Sequence, residues 1–364
     1  MNLMDAKVVV AMSGGVDSSV AAALLKQQGY TVIAMMLRLW SEPGREESNR
    51  CCAPDAQVLA RRVAARLDIP FYVIDAKEQF HSIVVQSFLD GYAQGLTPNP
   101  CLICNRQIKW GLLLQHATAL GADYLASGHY ARIEQPLDGV WRLLRAKDHS
   151  KDQSYVLHSL NQEMLAKTLL PVGGYLKSEI RALAEDNNLP TADRSDRQDL
   201  CFLGGEDYRN FLRRNSPGIG HPGPILTRNG KTLGEHEGLP FYTIGQRKGL
   251  GVASPIPLYV LAKKVDTNAL IVGSEDELGS RDLTASQVNW IAGEAPDGPF
   301  RAEVKTRYTA GAAWAEITPM EETQYRTPLP GFKAHFDLPQ RDITPGQTAV
   351  LYDGDRVLGG GTIN

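Results

Sequence analysis

The chain has 364 residues, of which 43% are hydrophobic and 22% charged, with a net charge of −3 at pH 7. This composition is ordinary for a soluble globular protein, the length predicts two or three domains, and the charge does not by itself indicate a nucleic-acid binder. No apolar run approaches the ~20 residues that cross a bilayer, and the N-terminus has no signal-peptide pattern, so we expect a cytoplasmic protein without a membrane partner.

The first half of the chain alternates apolar segments with amphipathic ones. Strands are predicted at residues 8–12, 31–37 and 71–75, and residues 122–133 are predicted to be a further strand that runs into a loop. Helices are predicted from the loop after residue 15 to Gly29 and over 55–69. This alternation predicts an α/β fold with a doubly wound parallel sheet, and ligands of such sheets bind at the carboxyl ends of the strands. The loop at 13–19 and the pair Gly128 and His129 lie at such ends.

The second half changes in character after a Pro/Gly-rich break at residues 216–224. Short segments beyond it alternate apolar and polar residues, and Asn229-Gly230 and Asp353-Gly354 are typical hairpin turns. These features predict smaller β-rich domains, with a β-barrel at the C-terminus.

The loop SGGVDSS, residues 13–19, connects the first strand to the first helix. Its glycines permit a tight turn, and the first amides of the helix attract an anion. Asp17 is a carboxylate where a phosphate would lie, which favours a cation such as Mg²⁺ beside the phosphate. A P-loop would carry a lysine, which this loop lacks. The pattern therefore predicts pyrophosphate held by amides and hydroxyls; the alternative is an ordinary turn with a solvent-facing Asp17.

SGGVDSS closely resembles the PP-loop of the ATP pyrophosphatases. These enzymes split ATP between the α and β phosphates and release AMP and pyrophosphate. The resemblance implies that the chain adenylates an oxygen, which a nucleophile then displaces. It does not identify the nucleophile.

Residues 95–111, GLTPNPCLICNRQIKWG, contain a CxxC pair, Cys101 and Cys104. The prolines and asparagine before it predict a rigid, non-helical loop. The nearby Arg106 and Lys109 could lower a thiol pKa, which favours reactive cysteines over buried structural ones. Cys201, in QDLCF, is flanked by apolar residues, and taken alone it would be a core cysteine.

Several motifs occur in one order along the chain: SGGVDSS, TPNPCLICN, GHYAR, KDQSY, QDLCF, GQRKGLG, then RY and PGQ. Over nearly its whole length the chain resembles the bacterial tRNA-specific 2-thiouridylases. The resemblance implies ATP-dependent adenylation of the C2 oxygen of the wobble uridine, followed by sulfur transfer to give 2-thiouridine. It implies as partners the tRNAs for Lys, Glu and Gln and a persulfide donor or relay protein fed by a cysteine desulfurase.

The resemblance also implies domains and site residues. The domains are a PP-loop ATP pyrophosphatase catalytic domain (1–204), a central tRNA-binding domain (205–278) and a C-terminal β-barrel (279–364). The residues expected to bind ATP are Ala11, Met12, Ser13, Gly14, Gly15, Val16, Asp17, Ser18, Leu37 and Gly128. Those expected to contact tRNA are Asn99, Pro100, Cys101, His129, Lys151, Asp152, Gln153, Arg307, Tyr308 and Gln347. Cys104 matches the nucleophile and Cys201 the persulfide carrier.

This chain departs from the family pattern at Cys101, where many members have an acidic residue with an acid–base role. Two hypotheses for the cysteines follow. In one, the outer sulfur of a Cys201 persulfide attacks the adenylated C2 and Cys104 releases the product by forming a disulfide. In the other, Cys101, Cys104 and Cys201 ligate a [4Fe–4S] cluster whose fourth iron binds sulfide. Zinc, with Cys51 or Cys52 as fourth ligand, is a third option, but a closed site could not deliver sulfur.

Two rival functions remain open at this point. Another PP-loop enzyme, an amide-forming synthetase, would need an amine rather than site cysteines. A non-catalytic protein that binds adenine nucleotide and RNA would bind ATP without releasing pyrophosphate in response to tRNA. Basic segments at 142–153, 212–214 and 245–249 favour an RNA partner, although each could be a solvated face.

Overall fold

A computed structural model describes residues 6–45, 54–195, 200–320, 330–341 and 343–364. The N-terminal part is a parallel five-stranded sheet in the order β3-β2-β1-β4-β7. Its strands are β1 (Lys7–Ala11), β2 (Thr31–Arg38), β3 (Phe71–Asp75), β4 (Tyr124–Ser127) and β7 (Thr168–Leu169). The predicted doubly wound α/β fold is confirmed.

Alternate residues of β1 explain why this sheet is covered on both faces. Val8, Val9 and Val10 are all 0% exposed. Val8 and Val10 pack in one cluster with α1 (Val16–Gln27) and α2 (Pro54–Arg66), while Val9 packs in another with Trp110. Successive side chains of a strand point to opposite faces, so an unbroken apolar run requires a layer on each side.

The remaining helices of this part surround the sheet. They are α3 (Lys77–Phe80), a π-wound turn (His81–Val85), α4 (Gln86–Ala93), α5 (Pro100–Ile103), a π-wound helix (Cys104–Leu113), α6 (Leu114–Ala119), α7 (Ser154–Leu157), α8 (Gln162–Ala166), a 3₁₀ turn (Pro171–Gly174) and α9 (Lys177–Asp186).

The non-helical loop predicted before the CxxC pair ends at Asn99, and a helix begins at Pro100. The side chain of Asn99 accepts a hydrogen bond from the Cys101 amide at 3.2 Å, and Pro100 is the first residue of α5. Asparagine is a favoured N-cap, and proline suits the first helical position, where no amide partner is needed. Both cysteines therefore lie on a helix.

The segment 122–133, predicted as a strand that runs into a loop, contains a strand, a loop and the start of a second strand. β4 ends at Ser127, and Ala131–Glu134 forms a separate strand, β5, which pairs antiparallel with β6 (Arg142–Arg145). β6 pairs with a strand of the C-terminal sheet. The chain leaves the parallel sheet at Gly128, which places the following residues beside the end of β1.

A four-stranded sheet of order β10-β11-β8-β9 follows helix α10 (Tyr208–Asn215) and the 3₁₀ turn Cys201–Leu203. Its strands are β8 (Gly223–Thr227), β9 (Thr232–His236), β10 (Tyr259–Lys264) and β11 (Ala269–Gly273), with a 3₁₀ turn at Leu239–Phe241. Its buried side chains share one cluster with Phe88 and Tyr92 of α4. The central sheet is thus packed directly on the N-terminal part.

The C-terminal part is a closed barrel of order β12-β15-β14-β13-β16-β17, in which β12 also pairs with β17. Its strands are β12 (Ser280–Trp290), β13 (Phe300–Lys305), β14 (Ala313–Met320), β15 (Gly331–Gln340), β16 (Thr348–Asp353) and β17 (Arg356–Ile363), with a 3₁₀ turn at Glu275–Glu277 before them. The predicted C-terminal barrel is confirmed. Among the described residues, no helix is both long and apolar enough to cross a membrane.

Candidate active site

The glycine-rich loop is held in shape by its own hydroxyl groups. Ser18 Oγ accepts a hydrogen bond from the Ser13 amide at 3.2 Å, and Ser13 Oγ accepts one from the Gly15 amide at 3.3 Å. Gly14 has φ +67°, and a Cβ there would lie 2.3 Å from the carbonyl oxygen of Ala56. Helix α2 therefore packs against a backbone that only glycine can provide. The loop lies at the carboxyl end of β1, as expected.

The glycine-rich loop has no lysine of its own, and a lysine from another helix supplies a cation beside it. The Nζ of Lys177, the first residue of α9, is 2.6 Å from Asp17 Oδ1, and the two residues are 160 positions apart. The Lys177 side chain is only 12% exposed, and Tyr130 Oη donates to the same carboxylate oxygen at 2.8 Å. The charge of Asp17 is thus balanced by Lys177, so the carboxylate alone does not require Mg²⁺. Nothing in the local sequence of Lys177 marks it as a site residue, so only the structure identifies it.

Gly128 brings the next two residues against this loop. A Cβ at Gly128 would lie 2.6 Å from both the Asp17 carbonyl carbon and the Ser18 amide nitrogen. This close backbone approach allows the Tyr130 hydroxyl to reach the Asp17 carboxylate and places His129 near the loop. Leu37, near the end of β2, is partly buried against two apolar clusters, and its contact with ATP stays a prediction.

His129 forms a short chain of polar contacts. Its Nε2 is 3.1 Å from Lys109 Nζ, and its Nδ1 is 2.7 Å from the Oγ of Ser127. The Trp110 ring packs on the imidazole with centroids 5.5 Å apart. Burial, and then the nearby Lys109 charge, hold the pKa of His129 well below its usual value. The imidazole is therefore neutral at neutral pH.

The three site cysteines differ in burial and in their neighbours. Cys104 and Cys201 are partly buried and pack against the cluster that contains Phe88 and Phe202. Cys101 is exposed. It lies near Tyr308 of the barrel, whose pKa is raised by burial, then by Asp152 and by Cys101. Cys104 and Cys201 therefore share an apolar environment, and Cys101, three residues before Cys104 on the same helical segment, is the more accessible thiol.

Metal binding by these cysteines is not supported by their arrangement. Within the described ranges, no group of three His, Cys, Asp or Glu side chains could hold a metal ion. Cys101, Cys104 and Cys201 consequently do not form the ligand set that a [4Fe–4S] cluster needs in this conformation. Cys51 and Cys52, the candidates for a fourth zinc ligand, lie outside the described residues.

The C-terminal barrel is hydrogen-bonded to the loop that precedes Cys101. Gln347 Nε2 donates to the Thr97 carbonyl at 2.7 Å, and the Thr97 amide donates to the Pro345 carbonyl at 2.9 Å. Arg307 Nη2 donates to the Ile244 carbonyl at 2.9 Å, which links the barrel to the central sheet. Arg307 and Gln347 thus have structural contacts, and their contact with tRNA stays a prediction.

Other residues expected to contact tRNA also make contacts within the protein. Asp152 is 8% exposed and accepts a hydrogen bond from Ser154 Oγ at 2.8 Å. Gln153 Oε1 accepts one from the Tyr130 amide at 3.0 Å, and Lys151 is partly buried. These residues make contacts within the protein near the segment after Gly128. Their contacts with tRNA stay a prediction.

A cavity of about 530 Å³ opens beside the cysteine helix. Its walls include Asn99, Pro100 and Gln347, together with Tyr92 and Tyr208, whose rings stack 4.9 Å apart at 23°. Residues from all three parts of the chain therefore meet around one space, which is wide enough for a flat ring.

Three family models match the chain in succession. Residues 6–205 match the "tRNA methyl transferase HUP domain", 209–274 the "tRNA methyl transferase PRC-barrel domain" and 280–363 the "Aminomethyltransferase beta-barrel domain".

Similar proteins carry one name. The chain is 47% identical to a protein of Roseiflexus castenholzii named tRNA-specific 2-thiouridylase MnmA, over 98% of this chain and 99% of that one. It is 48% identical to a protein of the same name from Symbiobacterium thermophilum, over 98% and 92%. A solved structure, the U34-tRNA thiolase NcsA from Methanococcus maripaludis with its [4Fe-4S] cluster, is 21% identical with a TM-score of 0.36, covering 60% of this chain and 70% of that one. That structural likeness is too weak to bear on the site.

Proposed function

The chain belongs to the tRNA-specific 2-thiouridylase family, and on that premise we propose that it activates the wobble uridine of tRNA with ATP and replaces the C2 oxygen with sulfur. The observation that carries the proposal is the link between the glycine loop and the helix of Cys104: Gly128 packs on Asp17 and Ser18, and the next residue contacts Lys109 of that helix. An anion-binding loop at the carboxyl edge of the sheet and a pair of cysteines beside it are the two parts that this reaction needs.

In the first step the uridine O2 attacks the α-phosphorus of ATP. The bond from O2 to phosphorus forms, the bond from phosphorus to the bridging oxygen breaks, and pyrophosphate leaves with the electron pair. The loop from Ala11 to Ser18 holds ATP, and its helix N-terminus faces the phosphates. Lys177 lies where it could move from Asp17 to a phosphate oxygen once ATP is bound. We propose Mg²⁺ as the partner of Asp17 in that state.

In the second step sulfur replaces the adenylated oxygen. The outer sulfur of a Cys201 persulfide attacks C2, and AMP leaves with the C2 oxygen. The Cys104 thiolate then attacks Cys201 Sγ, which breaks the sulfur–sulfur bond, releases 2-thiouridine and leaves a Cys104–Cys201 disulfide for an external thiol to reduce. The shared apolar cluster of these two cysteines supports this pairing over a cluster of three.

The cavity beside Asn99 supports a role for all three parts of the chain in holding tRNA. We propose that a flipped uridine enters it and that its aromatic wall stacks on the base. Residues 1–204 then carry the chemistry, 205–278 bind tRNA and 279–364 brace the loop before Cys101. The proposed substrates are the tRNAs for Lys, Glu and Gln, the sulfur comes from a persulfide relay fed by a cysteine desulfurase, and the protein is cytoplasmic.

A two-part assay tests the function. Pyrophosphate release is measured with and without tRNA, and 2-thiouridine is measured by mass spectrometry of digested tRNA after addition of a persulfide donor. Cys201→Ser should release pyrophosphate but form no 2-thiouridine, because adenylation precedes sulfur transfer. Turnover that is intact in Cys104→Ala and Cys201→Ala would favour an amide-forming synthetase, and ATP binding without tRNA-dependent release would favour a non-catalytic protein.

A further inference from the structure

Lys109 is a partly buried cation on the helix of Cys104, and it contacts His129, the residue that follows Gly128. It follows Cys104 by five positions on the π-wound helix Cys104–Leu113, and a π-helix brings residues five apart onto one face. Within the described part of the chain, no carboxylate lies within ion-pair distance of its ammonium group, whose neighbour is His129. A shielded ammonium normally pairs with a carboxylate, so this one is placed to meet an anion that the described residues do not supply.

The hydrogen bonds fix which atom of His129 faces the ammonium. A protonated lysine can only donate, so His129 Nε2 accepts the bond of 3.1 Å from Lys109 Nζ. The proton of the neutral ring therefore lies on Nδ1, which donates to Ser127 Oγ at 2.7 Å. Ser127 is 3% exposed at the end of β4, and the Trp110 ring supports the imidazole. The ammonium is held by a rigid chain and keeps two donors for another acceptor.

The position of His129 places this ammonium next to the phosphate-binding loop. Gly128 touches the backbone of Asp17 and Ser18, where an added Cβ would lie 2.6 Å away, and His129 is the next residue. On its other side Lys109 shares a helix with Cys104. The group that must bridge these two places in the adenylated intermediate is the α-phosphate, which is bonded both to adenosine and to the uridine C2 oxygen.

We propose that Lys109 is a catalytic residue whose ammonium binds the α-phosphate while O2 attacks, and that His129 and Ser127 are positioning residues which aim it. The inference rests on the proposed function and names a residue of that same site. Lys109 neither gains nor loses a proton in the step. The O2–phosphorus bond forms, pyrophosphate leaves with the electron pair, and the uridine N3 proton passes to water. The ammonium stabilises the negative charge that builds up on the α-phosphate oxygens.

The first test is Lys109→Gln, compared with the wild-type chain and with Gln107→Ala, an exposed change on the same helix. We expect tRNA-dependent pyrophosphate release to fall about 10²–10³-fold in Lys109→Gln, the size of loss seen when one preorganised charge-stabilising donor is removed. Affinities for ATP and tRNA, measured separately, should change by less than about threefold, because the contact strengthens in the transition state. Gln107→Ala should release pyrophosphate at the wild-type rate.

Added amine separates a catalytic ammonium from a structural one. Ethylamine should restore part of the pyrophosphate release of Lys109→Ala, whereas a fault in folding or in tRNA docking would not respond to it. If Lys109→Gln does not fold, the comparison of Lys109→Ala with and without ethylamine decides the question, and absence of recovery overturns the proposal.

His129 gives the test of positioning. A glutamine oxygen can accept the bond from Lys109 and a leucine side chain cannot, so His129→Gln should release pyrophosphate about tenfold faster than His129→Leu, in line with one charged hydrogen bond. Equal rates for the two variants would overturn the positioning role.

The remaining outcomes are distinguishable. A wild-type chain without tRNA-dependent pyrophosphate release overturns the proposed function and this inference with it. Wild-type release that is matched by Lys109→Gln overturns the role of Lys109 alone. Normal release with loss of 2-thiouridine would assign Lys109 to the cysteine chemistry and would also overturn the proposal.

Discussion

The loop GQRKG, residues 245–249, carries the clearest prediction for tRNA binding. Arg247 and Lys248 are exposed, and no hydrogen bond or ion pair joins their side chains to other described residues. The loop itself is fastened, because Gln246 Nε2 donates to the Lys248 carbonyl at 2.9 Å and Gln246 Oε1 accepts from Arg209 at 3.3 Å. Arg209 follows Tyr208, which lines the cavity. Two cations are thus presented on a rigid loop beside the proposed uridine site.

The double variant Arg247→Ala with Lys248→Ala should weaken tRNA binding in a salt-dependent way. Each lost phosphate contact lowers the slope of log affinity against log salt by about 0.7 to 0.9, so two contacts lower it by about 1.4 to 1.8. The ratio of wild-type to variant affinity for tRNA should therefore fall about 7- to 12-fold when the salt concentration rises from 50 to 200 mM. ATP affinity should not change, since the loop does not touch the nucleotide site.

Arg214→Ala is the matched control for this titration. Arg214 is also a surface arginine of the central region, but its guanidinium already contacts Glu42 at 2.7 Å and Glu206 at 2.6 Å. Its charge is compensated, so we expect the wild-type slope. Binding would be measured by filter retention of labelled tRNA across a salt series. A wild-type slope in the double variant would refute the assignment of this loop to the RNA path.

Three further predictions concern the site and its support. Lys177→Met leaves Asp17 without its cation, and pyrophosphate release should fall about 10²–10³-fold; an unchanged rate would remove Lys177 from the chemistry. Gln347→Ala removes one hydrogen bond to Thr97, which is worth about 1 kcal/mol. We therefore expect kcat for thiolation to fall about fivefold and KM for ATP to stay unchanged. A change in KM alone would contradict this prediction. Burial lowers the pKa of His158 to about 4. Because the unfolded chain then binds the proton first, stability falls as pH drops below 6.5, and about 2 kcal/mol should be lost between pH 7 and 5. The free energy of unfolding is measured by denaturant titration at pH 7 and pH 5. If His158→Asn lost as much stability as the wild type, His158 would not be the source of the pH dependence. His221→Asn is the control, because His221 is exposed on the central domain.

Local sequence was enough to predict the parallel sheet, the anion-binding loop and the barrel. The apolar run at Val8 to Val10 demands burial on both faces, Gly14 needs a positive φ, and alternating polarity near the C-terminus is typical of barrel strands. The ordered motifs also indicated the family. These features succeed because each is set by residues within one turn or one strand of each other.

Only the tertiary structure decided which side chains complete the site. Lys177 meets Asp17 across 160 positions and Gln347 meets Thr97 across 250. Such pairs depend on how whole elements pack, and no periodicity or motif near either partner encodes the other. The same holds for the burial of the cysteines: CxxC spacing does not show which thiols are covered, and only the packing of other elements leaves Cys101 exposed while Cys104 and Cys201 lie against one apolar cluster. Which thiol is covered depends on the elements that pack against its helix, and sequence spacing does not encode that packing.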